Sequence, residues 1–291
     1  MELTLSTHLL VDGLLDEAGL DALAVSGYPT VEAWLAEPHV PWKDTRALNN
    51  FAAKLESRNL KAGSVHLPFY PSVPELRQEG AKWSLIHSEP EQRKKALDGA
   101  TEGLYAAAAL GAKSGVLHLG WQKDSWDGDE NLWAAEGVAH LIAIARQVGV
   151  KLLLENIISE GTRASRLVAL LDQVDPAAEA GICLDLGHAH VEGDVMAQLE
   201  AALPRLCHLH VHDNDGESDT HLPPGEGTIP WDSLLRRLKD WDYQGLAALE
   251  LRDNSRGKNP SKEVVENLAG RARSFHNQYC SKGLLPPCPA T

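Results

Sequence analysis

The chain has 291 residues, 43% of them apolar, and a formal net charge of −14. That length suits a single barrel of alternating strands and helices, and the negative balance removes any general attraction to DNA or an anionic membrane, although a local basic patch could still serve a nucleic acid. No run of about eighteen apolar residues offers a membrane span; MELTLSTHLL at the start has neither the basic region nor the cleavage site of a secretory signal; and Cys183, Cys207, Cys280 and Cys288 lack the spacing of a disulfide framework, which suits reduced thiols in a cytoplasm.

LTLST (3–7) opens the chain as a short apolar strand with His8 at its end. ALAVS (22–26) reads as the second strand, followed by a loop, GYPTVEAWLAEPHVPW (27–42). GSVHL (63–67) and GVLHL (115–119) read as the third and fourth. Next comes an amphipathic helix over 129–149, whose Leu132, Trp133, Val138, Leu141, Ile142 and Ala145 fall largely on one face. VKLLLE (150–155), GICLD (181–185) and LCHLHV (206–211) are the fifth to seventh strands, with Cys183 and Cys207 as small buried residues in two of them. A helix over 231–241 precedes LAALEL (246–251), the eighth. Gly149 and Gly245 sit before strands as helix caps often do. The proline-rich 281–291 shows no periodicity and reads as poorly ordered. Eight strands alternating with helices imply parallel pairing and a closed (β/α)8 TIM barrel over 1–280 as one domain; an open doubly wound sheet is the weaker reading, since no GxGxxG follows the first strand.

In such a barrel the chemistry sits at the C-terminal ends of the strands. Strands three to eight end, in order, on His66, His118, Glu155, Asp185 with His188 close behind, His210, and Glu250; Asp219 and His221 follow in the loop after strand seven. Any one of these could be a helix cap or a hydrogen-bonded structural residue, but six consecutive strands deliver them to one rim. Carboxylates that close together repel in a partly dry cleft unless protons or cations come between them. Imidazole mixed with carboxylate is a donor set for Zn2+, Mn2+, Fe2+ or Co2+ rather than Ca2+. Strand alternation puts His208, His210 and His212 on the barrel side, with Leu209 and Val211 outward. His210 is the expected ligand, His208 lies one layer deeper, and His212 sits at the lip, touching substrate or solvent. His8 and His190 are weaker candidates.

The segments VHLPFY, VLHLGW, LLLENI, GICLDLGHAHVEGD, HLHVHDNDGESDTHLPPGEGTIPW and ALELRD resemble, in this order, the xylose-isomerase-like TIM-barrel superfamily, which includes sugar and sugar-phosphate isomerases and epimerases and also endonuclease IV. The resemblance implies a divalent metal (Mn2+, Zn2+, Co2+ or Mg2+) on Glu155, Asp185, His210 and Glu250, and isomerisation or epimerisation of a sugar or sugar phosphate through a metal-bound enediolate. Glu155 and Glu250 would exchange the proton, and His188 would hydrogen-bond a substrate oxygen. Resemblance to endonuclease IV implies instead up to three zinc ions, with His66, His118, His188, Asp219 and His221 added, and hydrolysis of abasic DNA; a sugar lyase or dehydratase is a further possibility on the same barrel. The turn LDLGHAH departs from the endonuclease's Asp-Thr-Cys-His. The loops 27–42 and 121–130 are acidic rather than basic, which disfavours a nucleic-acid partner and leaves a small polar substrate. Trp121, Phe69, His212 and Arg252 are the expected substrate contacts, with Trp83 or Trp126 as further stacking candidates and Arg163 and Arg166 as further phosphate partners. Barrels of this kind often form homo-oligomers, though no apolar patch marks an interface.

Overall fold

Eight parallel strands close on themselves in sequence order, β1 pairing with both β2 and β8. They are β1 (Glu2–Ser6), β2 (Thr30–Trp34), β3 (Lys61–His66), β4 (Ser114–Leu117), β5 (Lys151–Glu155), β6 (Gly181–Asp185), β7 (Leu206–Val211) and β8 (Leu246–Leu249). Around them run α1 (Glu17–Ala24), α2 (Thr45–Glu56), α3 (Val73–Glu79), α4 (Pro90–Ala109), α5 (Glu130–Val148), α6 (Ala164–Val174), α7 (Leu186–Val191), α8 (Val195–Ala202), α9 (Trp231–Asp240) and α10 (Ser261–Ser281). This computed structural model describes residues 1–122 and 124–287. The protein is a single-domain (β/α)8 TIM barrel.

The period-two pattern of the strands divides the molecule into two interiors. Outward residues such as Leu5, Val65, Leu154, Leu184, Leu209 and Leu249 join the helices in one apolar layer. The inward set is smaller and more polar. Val116, Leu153 and Cys183 form a small apolar plug, while Thr4, Glu32, Ser64 and His208 are buried polar neighbours of the same interior. Helix starts follow local chemistry: the carboxylates of Asp16, Asp44 and Asp194 accept from the backbone N–H of Gly19, Ala47 and Ala197 at 2.8, 2.7 and 3.0 Å.

Three expectations from the sequence need correcting or completing. ALAVS is not a strand: it is the end of α1 and its cap, and β2 is TVEAW, inside what reads as a loop. Gly149 caps α5 with φ +72°, but Gly245 caps nothing, because α9 already ends at Asp240 with Trp241 as its cap. Gly245 is needed for space instead, since a Cβ there would lie 2.5 Å from the Cys207 carbonyl oxygen. After α10 the chain turns back so that Leu285 is buried and His276 Nε2 meets the Pro286 carbonyl at 2.8 Å. Cys288 and the rest of the proline-rich tail lie outside the described residues. Among the described residues no helix is long and apolar enough to cross a membrane, and Cys183, Cys207 and Cys280 are free thiols, with Cys207 only half-buried.

Candidate functional site

The strand ends converge, and among the described residues five groups of donor atoms lie within coordinating reach: Cys183–His208–His210, His8–His221–Glu250, and three that join the strand-end acids and histidines. In the first of these three, His210 Nδ1 is 3.0 Å from Glu155 Oε1, 2.8 Å from Glu250 Oε2 and 3.7 Å from Asp185 Oδ2. In the second, Glu155 Oε2 meets His66 Nε2 at 3.2 Å and His118 Nε2 at 2.9 Å, and the two ring nitrogens are 3.3 Å apart. In the third, Asp219 Oδ2 meets His188 Nε2 at 3.3 Å and His221 Nε2 at 3.2 Å. Glu155 belongs to two sets, one oxygen to each. All but His118 and Asp219 are buried.

Backbone carbonyls fix which nitrogen each ring presents. His66 Nδ1 donates to the Leu67 carbonyl at 3.0 Å, His188 Nδ1 to Asn156 at 2.8 Å, and His221 Nδ1 to Glu250 at 2.7 Å. A carbonyl only accepts, so each Nδ1 carries hydrogen and each Nε2 faces inward, free to offer its lone pair to a cation once deprotonated. Local structure supports the acids as well. Asp185 ends β6 and also caps α7: its Oδ1 accepts from His188 N–H at 2.7 Å, leaving Oδ2 for the cluster. The Asn156 amide ties the end of β5 to the end of β6, donating to the Asp185 carbonyl at 2.9 Å and accepting from its N–H at 2.7 Å.

The result is a dry concentration of electron pairs. Among the described residues, Asp219 Oδ1 and Glu250 Oε2 are buried without a hydrogen-bond donor. Burial alone would depress the histidines, yet the surrounding acids outweigh it. Asp185 and Asp219 raise His188 well above its ordinary range, Asp219 lifts His221 to about 9, and Cys183, Glu155 and Glu250 raise His210 well above its own. Conversely, desolvation disfavours ionised Glu155 and Glu250, and the imidazoles overcome it, holding both well below the carboxylate range. The cluster therefore demands positive charge. Separations near 3 Å also match donors sharing a cation, since nitrogen ligands about 2.0–2.1 Å from a tetrahedral metal lie roughly 3.3 Å apart. The residues fit one or more divalent cations.

Over the cluster opens a cleft of about 480 Å3. Trp121 and Phe69 form part of its wall, 5.0 Å apart, with the Lys82 ammonium 4.2 Å over the Trp121 ring. Arg252 lines the same cleft, 3.6 Å from Asp12, which also pairs with Arg77. A larger cavity, about 1030 Å3, opens at the other end of the barrel beside Lys61, Lys113 and Lys151; it contains none of the strand-end donors.

Other expectations fall elsewhere. His212 is not solvated at a lip. It is fully buried, its Nε2 is 3.0 Å from Asp185 Oδ1, and its ring stacks on His221 at 3.9 Å, so it joins the third set rather than facing the cleft. Trp83 and Trp126 pack against Gly99 and Gly161 and do not line the cleft. Neither do Arg163, which lies 3.9 Å from Glu160, or Arg166. His190 bonds Thr228 at 2.8 Å, outside the donor sets. His8, by contrast, does reach the rim: it lines the cleft, sits 3.9 Å from Glu250 and shares a donor group with Glu250 and His221. Two residues with no forewarning in the sequence matter here. Trp34 forms part of the cleft, 3.9 Å from His66 ring to ring, with its N–H on the Tyr70 hydroxyl at 2.8 Å. Glu32, fully buried beneath the first set, meets His208 Nε2 at 3.0 Å and lies 3.1 Å from His210 Nε2.

His212 fits only because residue 187 has no side chain: a Cβ on Gly187 would overlap the His212 ring. Gly187→Ala is expected to displace that ring, lower stability by roughly 1–3 kcal/mol as overpacking does, and weaken metal retention. Urea unfolding and elemental analysis of the purified variant check both effects.

The family described as Xylose isomerase-like TIM barrel matches residues 20–273. Fructoselysine 3-epimerase of Shigella flexneri is 26% identical over 243 residues, covering 77% of this chain and 81% of that protein. A probable endonuclease 4 of Campylobacter concisus is 31% identical over 124 residues, or 40% of this chain and 43% of the relative. Among solved structures, the IolI protein with a bound zinc atom superposes with a TM-score of 0.77 at 18% identity, covering 97% of this chain and 99% of that one.

Proposed function

The chain belongs to the xylose isomerase-like TIM-barrel family, and from that premise we propose that it is a divalent-metal-dependent isomerase or epimerase of a sugar or sugar phosphate. The observation that carries this reading is the pair Glu155 and Glu250. Both are buried and flank the same His210 nitrogen at 3.0 and 2.8 Å, beneath a cleft whose volume suits a small ligand. The 3-epimerase among the relatives supports it.

Glu155, Asp185, His210 and Glu250 would hold the cation, which when bound supplies a Lewis acid that makes a C–H beside a carbonyl easier to ionise. One of Glu155 and Glu250 takes that proton. The other returns one, to the opposite face for epimerisation or to the neighbouring carbon for isomerisation. His188, oriented by the Asn156 carbonyl, hydrogen-bonds a substrate oxygen. Trp34, Phe69 and Trp121 cover the bound open-chain substrate and keep water from the reacting carbon, and Arg252 with Lys82 receives the outer end of the substrate.

A second reading, phosphodiester hydrolysis on three zinc ions, is favoured by the three donor sets that share or adjoin Glu155, and by the endonuclease among the relatives. Against it stand the net charge of −14 and the acidic segment after β4. The test incubates manganese-loaded protein in D2O with a panel of ketoses, aldoses and their phosphates. Deuterium entering the carbon beside a carbonyl, read by NMR, is the expected result. No exchange into any of them, together with incision of abasic duplex DNA, reverses the ranking.

A further inference from the structure

Glu32 projects from β2 into the barrel interior with no solvent exposure. A buried carboxylate is costly unless its oxygens are engaged. Oε2 accepts from Ser64 Oγ at 2.8 Å and meets His208 Nε2 at 3.0 Å. Oε1 lies 3.1 Å from His210 Nε2, a close electrostatic contact rather than an aligned hydrogen bond; among the described residues that nitrogen makes no aligned hydrogen bond, and Cys183 is a further polar neighbour of the ring. The opposite nitrogen of the ring, Nδ1, faces Glu155 and Glu250. A neutral imidazole has one N–H to place. An anion at one nitrogen holds the hydrogen there and leaves the lone pair on the other.

Resting on the reading that Glu155, Asp185, His210 and Glu250 bind a divalent cation, we propose that Glu32 is a positioning residue for that site: it holds His210 as the Nε2–H tautomer and so presents Nδ1 to the metal. Ser64 and His208 occupy the second oxygen of Glu32, so the carboxylate cannot swing away from His210. The carboxylate also makes His210 a stronger donor than an imidazole facing solvent. Glu32 never meets the substrate, and its effect passes entirely through His210.

The experiment titrates zinc into metal-free protein against a chromophoric chelator, for the wild type, Glu32→Gln and Ser64→Ala, with far-UV circular dichroism to verify folding. Glu32→Gln removes the charge and can turn an amide N–H toward His210. It is expected to weaken zinc binding by about 10–100-fold, the range found when such supporting carboxylates are lost. Ser64→Ala, which keeps the charge, is expected to weaken it by a few-fold at most. Should Glu32→Gln fail to fold, 15N-histidine-labelled wild type loaded with 113Cd answers the same question, with the His210 signals identified through His210→Gln. Cadmium coupling to His210 Nδ1 is expected, and coupling to Nε2 overturns the role of Glu32. Zinc affinity in folded Glu32→Gln within twofold of wild type also overturns that role alone. A wild type that takes up no zinc overturns the metal reading beneath it.

Discussion

Glu155→Gln is expected to lower turnover by roughly 10²–10⁴-fold, the usual worth of a positioned general base, and to reduce the metal content of the purified protein. Both losses follow from one geometric fact. Glu155 Oε1 lies 3.0 Å from His210 Nδ1, while Oε2 lies 2.9 Å from His118 and 3.2 Å from His66. An amide nitrogen in either position puts N–H against lone pairs, so two donor sets are disturbed together. Glu250 contacts His210 Nδ1 at 2.8 Å but is not among the donors of the His66–His118 set. Glu250→Gln should therefore abolish exchange while sparing the metal content of that second set. Elemental analysis alongside kcat separates the two variants. Wild-type turnover and metal content in Glu155→Gln would remove the site from consideration.

Stripping the cation with a chelator such as dipicolinate is expected to abolish activity and to lower Tm by on the order of 10 °C. A ligand held at a thousand times its Kd contributes about 4 kcal/mol, and a chain of this size loses a few degrees per kcal/mol. The size of the gap should depend on pH, with a definite sign. In the metal-free protein, protonated imidazoles replace the cation as the source of positive charge. Burial opposes this, but Asp219 lifts His221 to about 9, and acids raise His188 and His210 too. A folded-state pKa raised above the unfolded value of about 6.5 gives stability that is complete below that value and lost as pH rises through about 9. The metal-loaded protein behaves oppositely, since its ligands no longer have to release protons at high pH. Loaded and stripped samples should therefore separate further in Tm between pH 6 and 9. A gap that narrows with pH contradicts this electrostatic account.

Much of the architecture was legible because strand ends and helices carry independent signals. LCHLHV alternates, so Leu209 and Val211 go to the helix layer and His208 and His210 to the interior. GICLD and VKLLLE end on acids where apolar runs stop. The second strand was misplaced for a physical reason. ALAVS is a short apolar run that suits a helix end as well as a strand, whereas TVEAW interrupts its apolar residues with a charge. That charge, Glu32, is an inward position of the true strand, so the residue that hid β2 from the sequence pattern also supports His210. Trp34 was obscured by the same error. His212 was legible as an inward residue, but its burial depends on Gly187 in another element, and alternation along one strand carries no information about that space.

The division of labour around the barrel has an evolutionary consequence. Glu155, Asp185, His210 and Glu250 all come from the second half of the chain, on or just after β5 to β8. Trp34, Phe69, Arg77, Lys82 and Trp121, which shape the cleft, come from the first half. Mutation of these five cleft residues, unlike mutation of Glu32, His66 or His118 in the same half, can thus redraw what is accepted without touching the Glu155, Asp185, His210 and Glu250 donors. Descendants of such a chain can diversify in diet while inheriting the same reactive heart.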